Sequence, residues 1–327
     1  MSKSRTSFIR ISTLLFLLLL CAAALPQSLQ AGETGSQQLY FKTPEEAVQK
    51  LLEVSKNNDI KGILTLFGPA ARDIFVTSNP AKDKEKRENF YALAEAHNRL
   101  EKVSDGRMLL VVGTKSWPFP CPLVKDKTGW RFDTAAGIQE ILNRRIGEDE
   151  LQAIAACQAY VAAQWEYFSR DREGNGIRKF AQKLKSSEGK KDGLYWPVNE
   201  KSGEEMSPLG PFVAKSEIDT VGHKRGDPFY GYYFRILTRQ GPNVPGGAYN
   251  YIINGNMIAG FALVAYPEKY GSTGVTTFVV NQQGEVFEKD LGPETSAIAG
   301  AMTTYNPDRT WTMTRQKLAG KPVKAKK

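Results

Sequence analysis

The spacing of apolar residues divides the first half of the chain into helices followed by strands. Thr43 and Pro44, followed by two glutamates, are typical of a helix start, because Thr caps free N–H groups and acids favour the positive helix end. Helical spacing predicts this helix and two more, over 61–67 and 81–100. Strand patterns follow over 107–113 and, as a hairpin, over 123–132. Helices followed by an antiparallel sheet indicate an α+β fold.

The second half shows the same two patterns in the same order. Helical spacing extends over 148–184 and is interrupted at 171–176. A polar stretch rich in Gly and Pro, over 186–227, is too long for a plain connection, so it is either a functional loop or packed irregular structure. One helix that leads into an antiparallel meander is again α+β. The strand-like runs cover 231–238, 249–253, 260–266, 276–281 and 286–289.

The two patterns meet near Gly147, where we predict a domain boundary. A chain of 327 residues also exceeds one typical domain. We therefore predict two α+β domains, each with helices packed on an antiparallel sheet, between a leader and a basic tail. The predicted segments are a signal peptide over 1–31, a first domain over 32–147, a second domain over 148–313 and a basic disordered tail over 314–327.

The N-terminus has the pattern of a secretory signal peptide. Basic residues within 1–10 precede an apolar run over 14–25. This run has about a dozen residues, whereas a helix needs roughly 20 to span a bilayer. Cleavage is expected after Ala31, and lipidation of Cys21 is disfavoured because Leu20 precedes it where a small residue is required. The sequence thus predicts a soluble periplasmic or secreted protein with no transmembrane anchor.

The net charge of +9 is confined to the two ends of the chain. The predicted leader carries three cations and the segment from Arg315 onward carries six, neither with any acid, so the rest of the chain is neutral. A neutral body lacks the positive surface of a nucleic-acid-binding protein. The basic tail is interpreted as a solvated end, with contact to anionic lipid or wall polymer as the alternative.

The cysteines that remain after leader removal are Cys121 and Cys157. In an oxidising compartment they could form one disulfide. They could equally be two buried, unpaired thiols that act as small apolar residues. The sequence leaves both interpretations open.

Several sequence segments resemble the uncharacterised exported bacterial family catalogued as domain of unknown function 2950. The resemblance extends over nearly the whole predicted mature chain. It implies bacterial export and no particular activity. The segments are 117–120, 129–137, 141–147, 192–197, 231–237 and 245–249.

Each half also resembles a known architecture. The order and length of elements in the first half resemble the cone-shaped fold of nuclear transport factor 2. In the second half, residues 156–160, 233–237, 274–281 and 284–286 are similar to the globular part of type IV pilin-like and pseudopilin proteins. A whole domain precedes this part, so the resemblance implies a pilin-like module without the polymerising helix.

Motifs for catalysis, cofactors or metals are weak. His97 and His223 have no second ligand at metal-binding spacing, and the chain lacks a Gly-x-Ser-x-Gly elbow, so we predict neither cofactor nor zinc. The run Asp171, Glu173, Asn175 matches the first half of a calcium loop, but the bidentate Glu of its second half is missing. A polar turn is therefore the favoured interpretation.

Two aromatic groups are candidate binding residues. The first could line a ligand cavity or fill the core of the first domain. The second could form an exposed partner surface or pack within a half-buried sheet. The candidate cavity residues are Trp117, Phe119, Trp130 and Phe132, and the candidate surface residues are Tyr195, Trp196, Tyr230, Tyr232 and Tyr233.

These patterns lead to one main hypothesis and two alternatives. The main hypothesis is an exported, non-enzymatic binding or envelope-assembly protein, whose partner is an envelope protein or a cell-wall glycan. One alternative is a hydrolase with Asp133 and Glu140 as candidate acids, which surface or capping roles would explain equally well. The other is a small-ligand carrier that uses the cavity of the first domain without turnover.

Overall fold

The computed structural model describes residues 38–76, 79–198, 203–215 and 226–314. Within them the fold is α+β, as the sequence predicts, with helices packed on antiparallel sheets. Two separate hydrophobic cores form, one in each half of the chain. The predicted signal peptide, the tail beyond residue 314 and His223 lie outside the described residues.

The first half begins with capped helices, and the cap of the first is the Thr43 that the sequence predicts. The Thr43 side chain accepts a hydrogen bond from the N–H of Glu46 and begins the first helix. Asp59 does the same for the N–H of Gly62 at the second. The helices are α1 (Pro44–Lys56), α2 (Ile60–Phe67), α3 (Arg72–Phe75) and α4 (Pro80–Ala96), with a 3-10 turn over Pro69–Ala71.

These helices pack on an antiparallel sheet. Its strands are β1 (Asn98–Ser104), β2 (Arg107–Val112), β3 (Trp117–Pro118), β4 (Leu123–Lys125) and β5 (Trp130–Phe132). They run in the order β1-β2-β4-β5, and β3 pairs with the other part of β2. The predicted hairpin over 123–132 is confirmed as β4 and β5. Leu110, Leu123 and Phe132 are fully buried against the helices.

The helix predicted over 81–100 ends earlier, and a strand takes its place. α4 ends at Ala96, and His97 has an extended backbone with φ −159°. β1 then pairs along β2, from Asn98 opposite Val112 to Ser104 opposite Arg107. Nearly all of β1 is exposed and polar, so no apolar alternation marks it in the sequence. Charged side chains are common on such edge strands because they discourage pairing with other molecules.

One long helix, α5 (Thr134–Phe168), runs from the first half into the second. It begins at the Asp133 cap and passes through Gly147 without a break, so the predicted domain boundary falls inside a helix. The helix predicted to resume after 171–176 is absent. Residues 177–184 are irregular, because Ala181 exchanges two 2.8 Å hydrogen bonds with the Gln164 side chain and the segment packs into the second core.

The second half is built on a five-stranded antiparallel sheet. In sheet order its strands are β15 (Thr312–Met313), β13 (Val286–Asp290), β12 (Thr276–Asn281), β11 (Ala262–Pro267) and β6 (Tyr232–Leu237), and the last four of these form the predicted meander. The run predicted over 249–253 instead forms two short strands that belong to two smaller sheets. α5 packs across β12, β11 and β13. The other strands of this half are β7 (Arg239–Gln240), β8 (Tyr249–Asn250), β9 (Ile252–Ile253), β10 (Asn256–Met257) and β14 (Thr304–Tyr305), with helices α6 (Gly210–Lys215) and α7 (Thr295–Ala301).

α5 contacts both halves through specific groups. Near its start, the Thr134 hydroxyl donates to the carbonyl of Phe67 at 2.6 Å. Further along, the Glu150 carboxylate accepts the N–H groups of Val275 and Thr276 at 3.0 and 3.1 Å. α5 therefore contributes side chains to the second core and contacts the first core at Phe67 and Cys121. Among the described residues, no helix is both long and apolar enough to cross a membrane.

Substitution of two glycines in α5 tests this arrangement, because the two variants should change the free energy of unfolding in opposite directions. A Cβ at Gly137 would clash with Cys121 Sγ and lie 3.1 Å from Cys121 Cα, whereas a Cβ at Gly147 would meet no atom within 4 Å. We expect Gly137→Ala to lower the free energy of unfolding by about 1–3 kcal/mol through overpacking. Gly147→Ala should raise it by up to about 1 kcal/mol, since Ala favours a helix interior. Urea unfolding followed by circular dichroism measures both, and a loss of stability in Gly147→Ala would contradict an unbroken helix.

Candidate functional site

The second half contains a cleft of about 430 Å³, here called the β6 cleft. Its floor combines side chains of α5, β6 and β11. Its other walls come from the irregular segment over 182–185, Tyr195 and α6. The floor residues are Ala156, Tyr160, Phe234, Ile236 and Leu263.

The β6 cleft follows the backbone edge of β6. Four consecutive residues, 233–236, line it. Successive side chains of a strand point to opposite faces, so a cavity that touches four in a row lies along the strand's edge. Within the described residues, β6 is the last strand of its sheet, and its other edge pairs with β11. The cleft therefore exposes an edge that no described strand occupies.

The opposite wall is fixed by backbone hydrogen bonds. The N–H groups of Leu194 and Tyr195 donate to the carbonyls of Lys183 and Leu184 at 3.0 and 2.8 Å. The N–H of Leu209 donates to the Leu194 carbonyl at 2.9 Å and holds the start of α6 nearby. The described part of the stretch over 186–227 is thus packed against the second half, mostly as irregular structure with the short helix α6.

Two cations of the β6 cleft already have protein partners. Lys183 Nζ lies 2.6 Å from Asp192 Oδ2. Burial alone raises the pKa of Asp192, but hydrogen bonds from Lys183 and Ser187 outweigh it and lower that pKa to about 2. The Arg235 guanidinium donates to the carbonyls of Gly300 and Met302. The hydrogen-bond donors of Lys183 and Arg235 are therefore engaged within the protein.

The five aromatic residues predicted to form a partner surface are separated by the fold. Tyr195 and Tyr233 line the β6 cleft. Trp196 and Tyr232 are buried, with exposures of 5% and 0%. Tyr230 is half-buried, has φ +48° and packs edge-on against Phe229. Only two of the five lie where a ligand in the cleft would touch them.

A second cavity, of about 500 Å³, lies in the first half and is here called the α4–α5 cavity. Trp117 and Phe119, two of the four candidate cavity residues, line it. Trp130 and Phe132 do not. Phe132 is fully buried, with its ring 4.9 Å from that of Phe67. Trp130 exchanges two 2.8 Å backbone hydrogen bonds with Phe41 at the sheet edge.

Asp133 and Glu140, the candidate acids of a hydrolase, hold α5 and its neighbours in place. Asp133 Oδ1 accepts the N–H of Ala136 at 3.2 Å, and Oδ2 lies 3.7 Å from Arg107. Glu140 Oε1 accepts from Arg144 Nε at 2.7 Å. Each carboxylate thus has a capping or ion-pairing role.

The calcium-like run folds as a tight polar turn. The Asp171 carboxylate accepts the N–H groups of Glu173, Gly174 and Gly176 at 3.2, 2.9 and 2.7 Å. Glu173 is bound by Lys179 Nζ at 2.5 Å, so an ammonium group lies where a cation would bind this carboxylate. Asn175 Oδ1 accepts the N–H of Ile177. Over the described ranges, no group of three or more His, Cys, Asp or Glu could hold a metal ion.

Comparison with known families shows which protein family the chain matches. The family model described as protein of unknown function DUF2950 matches residues 38–314. The chain belongs to this family. The matched range includes both cores, α5 and both cavities.

Two other comparisons give no further relatives. No curated protein and no solved structure matches the chain. The likeness to nuclear transport factor 2 in the first half and to pilin-like proteins in the second therefore stays a prediction. Membership of DUF2950, which the sequence segments indicated, is confirmed.

The two cysteines among the described residues are free and belong to different cores: Cys121 to the first and Cys157 to the second. Burial raises the pKa of both thiols to about 12. We expect neither to react with iodoacetamide at pH 8, where such a pKa leaves about one thiolate in ten thousand. Both should react after unfolding, and mass spectrometry without reductant should find no disulfide between them.

The same shifts set a pH dependence. The folded state holds each thiol proton more tightly than the unfolded state, whose thiols ionise near pH 8.5. The resulting stabilisation is complete below that pH and is lost progressively above it. Rapid alkylation of the native protein at pH 8, or a Cys121–Cys157 crosslink, would contradict this arrangement.

Proposed function

We propose that this protein is a binding protein that holds an extended, apolar segment of a partner polypeptide in the β6 cleft. The observation that carries the proposal is the edge of β6, which borders a cleft of about 430 Å³ and pairs with no described strand. An extended segment can add to such an edge as a further strand, held by main-chain hydrogen bonds.

The side chains of the cleft favour an apolar segment. Phe234 and Ile236 lie two residues apart on β6 and both pack towards α5. An added strand would present alternate side chains to the same face, where they would meet this apolar floor. Tyr195 contributes an aromatic ring from the opposite wall. The alternation of apolar residues in the partner is therefore the expected recognition feature.

The paired charges of the cleft favour an uncharged segment. Lys183 is paired with Asp192, and the Arg235 guanidinium donates to two backbone carbonyls. The other two charged lining residues, Lys185 and Asp227, have opposite signs. A charged side chain placed here would lose its hydration without gaining a free partner from these groups. A cell-wall glycan fits less well, because its many hydroxyl groups would face a mostly apolar floor. An envelope protein is thus the partner that we propose.

The predicted export agrees with such a role, because a secreted or periplasmic chain would meet envelope proteins with exposed strands or termini. The hydrolase alternative has no comparable support, since Asp133 and Glu140 are engaged in capping and ion pairing. The other alternative, a small-ligand carrier, would use the α4–α5 cavity, which is the cavity of the first half.

Proline-containing peptides test the proposal. We expect some members of a panel of fluorescent heptapeptides, with Val or Phe alternating with Thr, to bind the full chain. The same peptides with a central proline should bind at least about tenfold more weakly, because proline cannot donate to a strand ladder. Fluorescence anisotropy gives both affinities.

Two variants locate the binding. Phe234→Glu should weaken peptide binding at least about tenfold by placing a charge on the apolar floor. Met313→Glu changes an exposed residue of β15, at the opposite edge of the same sheet, and should leave binding unaltered. The proposal fails if no peptide binds, if proline peptides bind equally well, or if the two variants weaken binding to the same extent.

A further inference from the structure

We propose that the α4–α5 cavity is a separate site for a small organic monoanion, such as a carboxylate with an aromatic or acyl body. The cavity shares no lining residue with the β6 cleft. Its volume of about 500 Å³ lies in the range of pockets that enclose small molecules. The inference stands independently of polypeptide binding.

Aromatic rings form a continuous apolar wall of this cavity. The rings of Phe67 and Phe75 stack at 4.8 Å, and those of Phe90 and Phe119 lie 5.2 Å apart. Phe67 and Phe119 are 6.1 Å apart and join the two pairs. Trp117, which is 43% exposed, extends the wall towards solvent. This wall would accommodate the apolar body of a ligand by ring stacking and by displacing water.

Four cations and two acids also line the cavity. Lys86 and Arg87 come from α4, and Arg144 and Arg145 come from α5. The acids are Asp83 and Glu148. Cations on two facing helices produce a positive excess beside an apolar wall, where an anionic group is attracted more strongly than in bulk water. The charge of the lining therefore favours an anion.

Arg144 is positioned to receive that anion. Its guanidinium lies 5.0 Å from the Trp117 ring centre, and its Nε donates to Glu140. Its Nη1 is buried and has no hydrogen-bond partner. A buried donor without an acceptor is unfavourable, and an oxygen of a bound carboxylate would satisfy it. This unpaired donor is the most specific sign that the cavity is built for an acceptor group.

Arg87 supports the same conclusion from the other side. Arg87 is only 9% exposed. Its Nε donates to Asn58 Oδ1 at 2.6 Å, and its Nη1 donates to the Phe75 carbonyl at 3.2 Å. These bonds hold the guanidinium at the cavity wall. Because Glu140 already shares the charge of Arg144, the remaining positive charge suits a monoanion better than a phosphate dianion.

The test compares acids with their neutral amides. We expect 2-naphthoate or decanoate to bind the full chain in isothermal titration calorimetry, and the matching amide to bind at least about tenfold more weakly. Arg144→Met should reduce acid affinity about tenfold and remove most of the preference for acid over amide. Lys86 is exposed, so Lys86→Met should leave the fold unchanged. This variant should reduce acid affinity about threefold.

Control variants separate this site from general charge effects and from the β6 cleft. Arg170→Met removes an exposed arginine of the second half and should leave acid binding unchanged. Phe234→Glu should also leave it unchanged. The inference is overturned if neither acid binds, if acid and amide bind equally, if Arg170→Met matches the effect of Arg144→Met, or if Phe234→Glu abolishes acid binding.

Discussion

The packing of α5 against two separate cores is the constraint on which the rest of the structure depends. Near its start, Gly137 lets the helix approach Cys121 so closely that no side chain would fit between them. From Ala153 onward, buried residues recur every three or four positions, through Cys157, Tyr160 and Tyr167, and cover the second sheet. Because both contacts belong to one rigid helix, the position of one core restricts the position of the other.

The middle of α5 is supported differently from its ends. Between Gly137 and Ala153 the helix has no buried residue. Its side chains there bond to neighbours instead, as in the pairing of Arg144 with Glu140 and the contacts of Glu150 with β12. The same helix gives one wall to each cavity, with Arg144 at the α4–α5 cavity and Tyr160 at the β6 cleft. Both proposed sites therefore depend on where this helix lies.

The sequence predicts those elements that have a clear cap, a turn between strands or a marked apolar run. The start of α1, the β4–β5 hairpin and the meander strands follow from local pattern and capping. β1 could not be found this way, since its position comes from pairing with β2 and its side chains are polar and exposed. The two sequence patterns meet near Gly147, but local pattern could not show that one helix continues through this position.

The candidate sites were only partly predictable for a related reason. Neighbouring aromatic residues have different environments: Tyr195 and Tyr233 line a cleft, whereas Trp196 and Tyr232 are in the core. All four are aromatic residues in similar local sequence, and only long-range packing decides which of them line the cleft and which are buried. The role of Arg144 was missed for the same reason, although it lies within a segment, 141–147, that marks the family resemblance.

A distance measurement along α5 tests the account most directly. Spin labels at Gln139→Cys and Glu166→Cys, both exposed positions, can be introduced with Cys21 replaced by Ser, since the two native core thiols are buried. An unbroken helix of 1.5 Å rise per residue places the two positions about 40 Å apart. Double electron–electron resonance should give one narrow distribution near that distance. A broad distribution, or one centred well below about 35 Å, would show that the helix bends or breaks and would contradict the shared-helix account.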